Sequence, residues 1–230
     1  MSNNIALIVG AGSGLSASLA RAFTREGMTC VLAARQTAKL QSLCTELKAT
    51  AIACDSAQAE QVNALYAQVD RLCDAPAVVV YNASQRVRGP VAELDAKQVA
   101  DAISVTAYGG FLVAQAAAKR MLKKGTGTIL FTGASASVKG YAQSATFAMG
   151  KFALRGLAQS MARELAPQNI HVAHVVIDGA ISSATRLVPA DKPDSMLHPD
   201  AIAESYVHLW KQPRSAWTWE IEVRPWVEKF

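Results

Sequence analysis

The chain has 230 residues, a normal length for one α/β domain with a full core, and 51% of them are apolar against 18% charged, a balance that excludes disorder. The net charge is +5, but the basic residues are scattered over Arg21, Arg25, Lys119 to Lys124, Arg155 and Arg163 and never interleave with aromatics. This excludes nucleic acid as the expected partner, while a basic balance suits a ligand that carries phosphate. The cysteines Cys30, Cys44, Cys54 and Cys73 form no CxxC pair and lie near no histidine at ligand spacing, so no metal site and a reduced, cytoplasmic setting are expected. The first apolar run, residues 5–9, is too short for a signal segment or a membrane span. No membrane is expected as a partner.

In chain order, strands are predicted at 5–9, 29–34, 49–54, 77–81, 127–132 and 171–177. Helices are predicted between them at 13–26, 37–47, 57–72, 95–123 and 144–165. Alternating strand and helix predict a parallel sheet with helices on both faces, and the strands read as continuous Val, Ile, Leu and Ala, as both-face burial requires. Right-handed crossovers make such a sheet doubly wound. An irregular stretch at 182–199, with three prolines, is expected as a flap over the site, and Leu187, Val188, Met196 and Leu197 suggest that its lining is apolar. A helix at 200–210 and a strand at 219–223 close one α/β domain over residues 1–230.

The first strand runs into Gly10-Ala11-Gly12-Ser13-Gly14-Leu15 and a helix follows at once. Glycines there permit a tight turn and close approach of backbone to a pyrophosphate, and the helix start offers free N–H groups and a positive dipole end. The position of this turn, after a strand and opening a helix, makes it a dinucleotide-binding signal.

From these residues on, the chain resembles the short-chain dehydrogenase/reductase family. The glycine turn is similar to that family's TGxxxGxG motif, with Gly10 and Gly14 in the first two framework positions, Ser16 in the third and Val9 for the leading threonine. Asp55 after the third strand matches the acid that holds the adenine amine. Asn82-Ala83-Ser84 after the fourth resembles the NAG turn. The stretch from Ile177 through Asp178, Gly179, Ala180, Ile181 and Ser182 to Ser183 resembles the PGxxxT segment that touches the nicotinamide amide. The resemblance implies a Rossmann-type fold, a small-molecule substrate and a homodimer or homotetramer built on the long helices at 95–123 and 144–165. It also implies a dinucleotide held by Gly10, Gly12, Ser13, Gly14, Leu15, Asp55, Asn82, Ala83, Ser84, Lys151, Gly179, Ile181 and Ser183. Relatives that prefer NAD carry an acid at the end of the second strand, whereas this strand ends in Arg35, whose planar fork suits a 2′-phosphate, with Ser13 able to add a hydrogen bond. NADP(H) is therefore expected over NAD(H).

The resemblance breaks at the chemistry. The family's YxxxK reads Phe147-Ala148-Met149-Gly150-Lys151, the catalytic serine position is Ala134, and the asparagine position is Thr106. A phenyl ring has no proton to give, so the usual acid is missing while Lys151 remains to hold the ribose. Ser135, Tyr141 and Tyr108 are the open alternatives for a proton donor. Two functions follow. One is an NADP(H)-dependent oxidoreductase with non-standard acid catalysis, acting on a small apolar carbonyl or an activated C=C bond. The other is a catalytically impaired NADPH-binding sensor or partner subunit.

Overall fold

The computed structural model describes residues 4–228. Seven parallel strands lie in the order β3-β2-β1-β4-β5-β6-β7. They are β1 (Ile5–Val9), β2 (Thr29–Ala34), β3 (Thr50–Ala53), β4 (Val78–Tyr81), β5 (Gly127–Thr132), β6 (Ile170–Ile177) and β7 (Glu220–Val223). The helices are α1 (Leu15–Arg25), α2 (Gln41–Leu47), α3 (Ala59–Val69), α4 (Ala96–Ile103), α5 (Gly109–Lys124), α6 (Ala145–Leu165) and α7 (Pro199–Lys211). The doubly wound α/β class expected from the strand–helix alternation is the observed one.

Period-2 alternation sorts the strand side chains onto two faces. Leu7, Val79 and Ile129 pack one face against Tyr66 of α3 and Val113 and Met121 of α5. Ile8, Val80 and Leu130 pack the other face against Leu19 and Phe23 of α1 and Tyr206 of α7. Strand order reverses between β1 and β4, and this opens the crevice at their carboxyl ends where such sheets bind ligands.

Helix ends depart from the sequence reading for local reasons. α1 starts at Leu15 because the glycine turn consumes residues 10–14. The stretch at 37–47 opens with a 3₁₀ turn, Thr37–Leu40, before α2. The helix at 57–72 contracts to α3, and its flanking residues form turns. Asp95 caps α4 by accepting from the backbone N–H of Gln98 at 2.8 Å, the usual role of an N-cap carboxylate. The helix read as continuous over 95–123 is divided by a π-helical segment, Ser104–Tyr108, a local widening frequent at functional sites. The whole run Ala96–Lys124 is 29 residues long and apolar enough by composition to cross a membrane, yet its inner face packs on α3, α6 and the sheet.

Three of the four tryptophans pack the C-terminal elements. Trp210 meets Phe23 edge-on, Trp217 stacks on His171, and Trp219 lies under the Arg155 guanidinium. Trp226 is 81% exposed and donates to Asp194.

Candidate functional site

The glycine turn is fastened from three directions. The backbone N–H groups of Gly10 and Ala11 both donate to Ala33 O of β2. Gly10 has φ +84°, and a Cβ there would run into the backbone of Ala83, so this position needs glycine. Ser16, in place of the third framework glycine, donates its hydroxyl to Gly10 O at 3.0 Å and accepts from Asn82 Nδ2 at 2.7 Å. The departure from the family pattern thus becomes a strut between the glycine turn and the loop after β4. Gly12 and Gly14, by contrast, face open space. That space lies over the start of α1, where free N–H groups and the dipole favour an anion.

Beyond the turn, a cavity of ≈ 240 Å³ is lined by Gly10, Arg35, Asp55, Asn82, Ala83, Ser84 and Val105. Asp55 spends one carboxylate oxygen on the Ala57 N–H at 3.0 Å. Next to it, Gly12, Ser13, Arg35, Gln36 and Lys39 surround an open recess. Arg35 and Ser13 were expected there; Lys39 was not. Lys39 lies on the 3₁₀ turn after β2, and its signal was its place four residues beyond Arg35.

Deeper along the crevice, Leu15, Asn82, Ser84, Arg86, Ala134, Phe147, Lys151, Gly179, Ile181 and Arg186 line a cavity of ≈ 250 Å³. Lys151 is buried and donates to Thr132 O at 2.6 Å. Burial first, and the Arg86 charge second, lower its pKa to about 7, because desolvation disfavours the charged amine. Phe147 packs with Ala134 and Ala136, and the Arg86 guanidinium lies 3.9 Å over its ring, within cation–π range. The face that replaces a tyrosine is therefore a platform for an arginine.

Arg86 and Phe147 are also walls of an adjoining cavity of ≈ 330 Å³, completed by Arg88, Ser135, Ala136, Tyr141, Ala142, Gln143 and Ser144. Ser135 and Tyr141 thus face this second chamber rather than the one that holds Lys151 and Ala134. Tyr108, the last residue of the π-helical segment, is exposed and stacked on Phe111 of α5. Thr106 is buried in the π-helical segment and accepts from the Gln85 N–H at 3.1 Å. It lines neither chamber and instead ties that segment to the 82–88 loop. Ser183 caps a turn, accepting from the Arg186 N–H at 3.1 Å.

The stretch 182–199 carries Arg186 over the site, but it is not the apolar flap expected. Leu187 is 75% exposed and Val188 also faces solvent. Leu197 is buried instead against Gly179, whose φ of +147° and close neighbours Leu197 and Pro225 leave no space for a side chain. The chambers are walled by arginine because the apolar flap residues either pin the loop or point outward. Sequence reasoning missed Arg86 and Arg88. Their signal was the alternation Arg-Val-Arg in an extended segment after the Asn82 turn, which puts both on one side.

Comparisons with known proteins agree with this geometry. The family model "short chain dehydrogenase" matches residues 4–191. A short-chain dehydrogenase from Rhodopseudomonas palustris is 34% identical in sequence, with 98% of this chain and 100% of that one covered and a TM-score of 0.85. A metagenomic short-chain oxidoreductase solved in complex with NADP is 26% identical, with 98% of both chains covered and a TM-score of 0.86. An uncharacterized oxidoreductase of Staphylococcus aureus is 26% identical over 98% of both chains. With a matched model across most of its length and a Rossmann crevice built from the motif residues, the chain belongs to the short-chain dehydrogenase family.

Proposed function

We propose that this protein is an NADP(H)-dependent oxidoreductase that reduces a carbonyl or an activated C=C bond without the family's tyrosine acid. The observation that carries the reading is the recess where Arg35, Lys39 and Ser13 gather beside Gly12. Two cations and a hydroxyl there suit a 2′-phosphate. The open space at Gly12 and Gly14 fits a pyrophosphate on the start of α1.

When bound, the nicotinamide supplies a hydride. The chain's residues bind and orient. Ser13, Arg35 and Lys39 hold the phosphate end. Asp55 keeps one carboxylate oxygen for an adenine amine, and Gly179 and Ile181 border the nicotinamide end. Lys151, whose pKa burial lowers to about 7, holds a ribose hydroxyl and can hand a proton to a developing enolate. A delocalised enolate is a less basic anion than an alkoxide and forms with less help from an acid, which fits the loss of the tyrosine. The exposed apolar side chains Tyr108 and Phe111, and Met149 and Phe152 of α6, support a homodimer or homotetramer.

Titration with NADPH and NADH, followed by nicotinamide fluorescence, tests the reading. The wild type is expected to bind NADPH more tightly. Arg35→Ala is expected to weaken NADPH about 10–100-fold, the loss of one or two charge-assisted hydrogen bonds, with NADH nearly unaffected. Equal losses for both would remove Arg35 from the phosphate site.

A second reading, a binding-only sensor or partner subunit, is favoured by the joint substitution at Ala134, Phe147 and Thr106. Phe147→Tyr combined with Ala134→Ser separates the two. On the enzyme reading, reduction of an unactivated aldehyde is expected to rise by about 10²–10⁴-fold, the usual worth of a positioned acid. A folded, NADPH-bound double variant with no gain would favour the binding-only reading.

A further inference from the structure

Most arginines near acids in this protein are paired. Arg21 meets Glu46, Arg25 meets Glu204, Arg120 meets Asp70 and Arg155 meets Glu220. Arg86, Arg88 and Arg186 differ. They converge on the crevice from two loops, and among the described residues none of them has an ion pair or a side-chain hydrogen bond. No carboxylate lines either chamber. Desolvation, followed by the Arg88 and Arg186 charges, lowers the pKa of Arg86, as expected when like charges crowd a partly dried guanidinium.

Three unpaired cations cost stability unless something anionic joins them. Arg86 sits at the boundary. It faces the Lys151 chamber, and it also forms a wall of the chamber with Arg88, Tyr141 and Gln143. Its guanidinium carbon lies 3.9 Å over the Phe147 ring, and none of its side-chain N–H groups donates a hydrogen bond to a described residue. The planar fork of a guanidinium matches a carboxylate bidentately.

We infer that the chamber beside Phe147 is a carboxylate subsite, formed by Arg86 and Arg88, with Arg186 adding positive charge from the adjoining Lys151 chamber, so that the substrate is a small oxo acid or unsaturated acid. The carboxylate lies with Arg86 and Arg88, and the reacting carbon lies toward Lys151. This assignment rests on the oxidoreductase reading and gives its substrate class. It also accounts for phenylalanine at position 147, whose ring is the shelf for Arg86, and it replaces the apolar substrate expected from the flap.

The test is calorimetric binding of a panel of short-chain oxo acids, 4-oxopentanoate among them, each beside its methyl ester, to the protein saturated with NADPH. At least one acid is expected to bind about tenfold or more tightly than its ester, the worth of one charge-assisted hydrogen bond. Arg86→Met/Arg88→Met is expected to lose that preference and to unfold at an equal or higher temperature, since it relieves repulsion. Arg88→Met alone, on an exposed side chain, is expected to reduce the preference without touching the Phe147 shelf. No acid preferred over its ester, a preference kept by the double variant, or a response to methyl phosphate but not to carboxylates would overturn the assignment. Nicotinamide fluorescence in the same samples reports the cofactor independently. Should NADPH fail to bind, the acid and ester series on the apoprotein carrying Arg35→Ala/Lys39→Ala, which lacks the competing phosphate recess, still decides the carboxylate subsite.

Discussion

Gly12→Val is expected to leave the unfolding midpoint of the apoprotein almost unchanged and to weaken NADPH binding about a hundredfold or more. A Cβ at Gly12 meets nothing within 4 Å, and its φ lies outside the left-handed region, so the folded chain has no objection to a side chain there. Substitutions that meet no neighbour in this way usually change stability by less than about 0.5 kcal/mol. The branched side chain would instead fill the space over the start of α1, where a pyrophosphate must approach backbone N–H groups. Overpacking by about 3 kcal/mol corresponds to about a hundredfold in affinity. Gly10→Val makes the contrast. At φ +84°, and with Ala83 directly against the added Cβ, it is expected to lose several kcal/mol of stability through overpacking and left-handed strain, along with binding. Urea unfolding beside fluorescence titration reads both variants. If Gly12→Val destabilised the apoprotein as much as Gly10→Val, the glycines would be shaping the fold alone and the phosphate-binding role would fall.

Lys151→Met is expected to make the apoprotein more stable than wild type at pH 7 and less stable at pH 10.5. In the unfolded chain the amine titrates near 10.5, and in the fold it titrates near about 7, so between those values the unfolded state binds more protons. Stability therefore rises with pH across that window, and the cost of burying the amine is fully present below about 7. A shift of this size is worth about 4–5 kcal/mol. Methionine escapes that cost at every pH but leaves Thr132 O without its 2.6 Å donor, a loss of about 1–3 kcal/mol. The balance favours the variant by roughly 1–3 kcal/mol at neutral pH, and it reverses once the wild-type amine is neutral in both states. Denaturation curves at the two pH values check the crossover. The same difference at both would mean that the amine keeps its proton in the fold. With Lys151 gone as a ribose donor, NADPH affinity is expected to fall about tenfold.

Much of this protein is fixed by local sequence. The strands at 5–9, 29–34 and 127–132 match the observed ones because an apolar run closed by a turn has one low-energy fate in a sheet covered on both faces. The glycine turn, the Asn82 loop and Lys151 were legible for the same reason: each depends on residue type at short range, on a left-handed φ, a helix start or a fixed place on one helix. Arg35 was legible because its place after β2 fixes it beside the glycine turn. Only the tertiary structure decided the rest. Ser16 reads in sequence as a missing glycine, and the fold makes it a hydrogen-bonded strut to Asn82, 66 residues away. Thr106 was read in the asparagine position, and the π-helical segment turns it inward to Gln85. Arg86 and Arg88 come from one loop and Arg186 from another, and their convergence without a carboxylate depends on how those two loops cross the crevice. Phe147 reads as a lost proton donor until Arg86 is found on its ring. Chain-local preferences set the sheet and the cofactor turn. The character of the substrate chamber is a sum of long-range charge placements, which no short stretch of sequence contains.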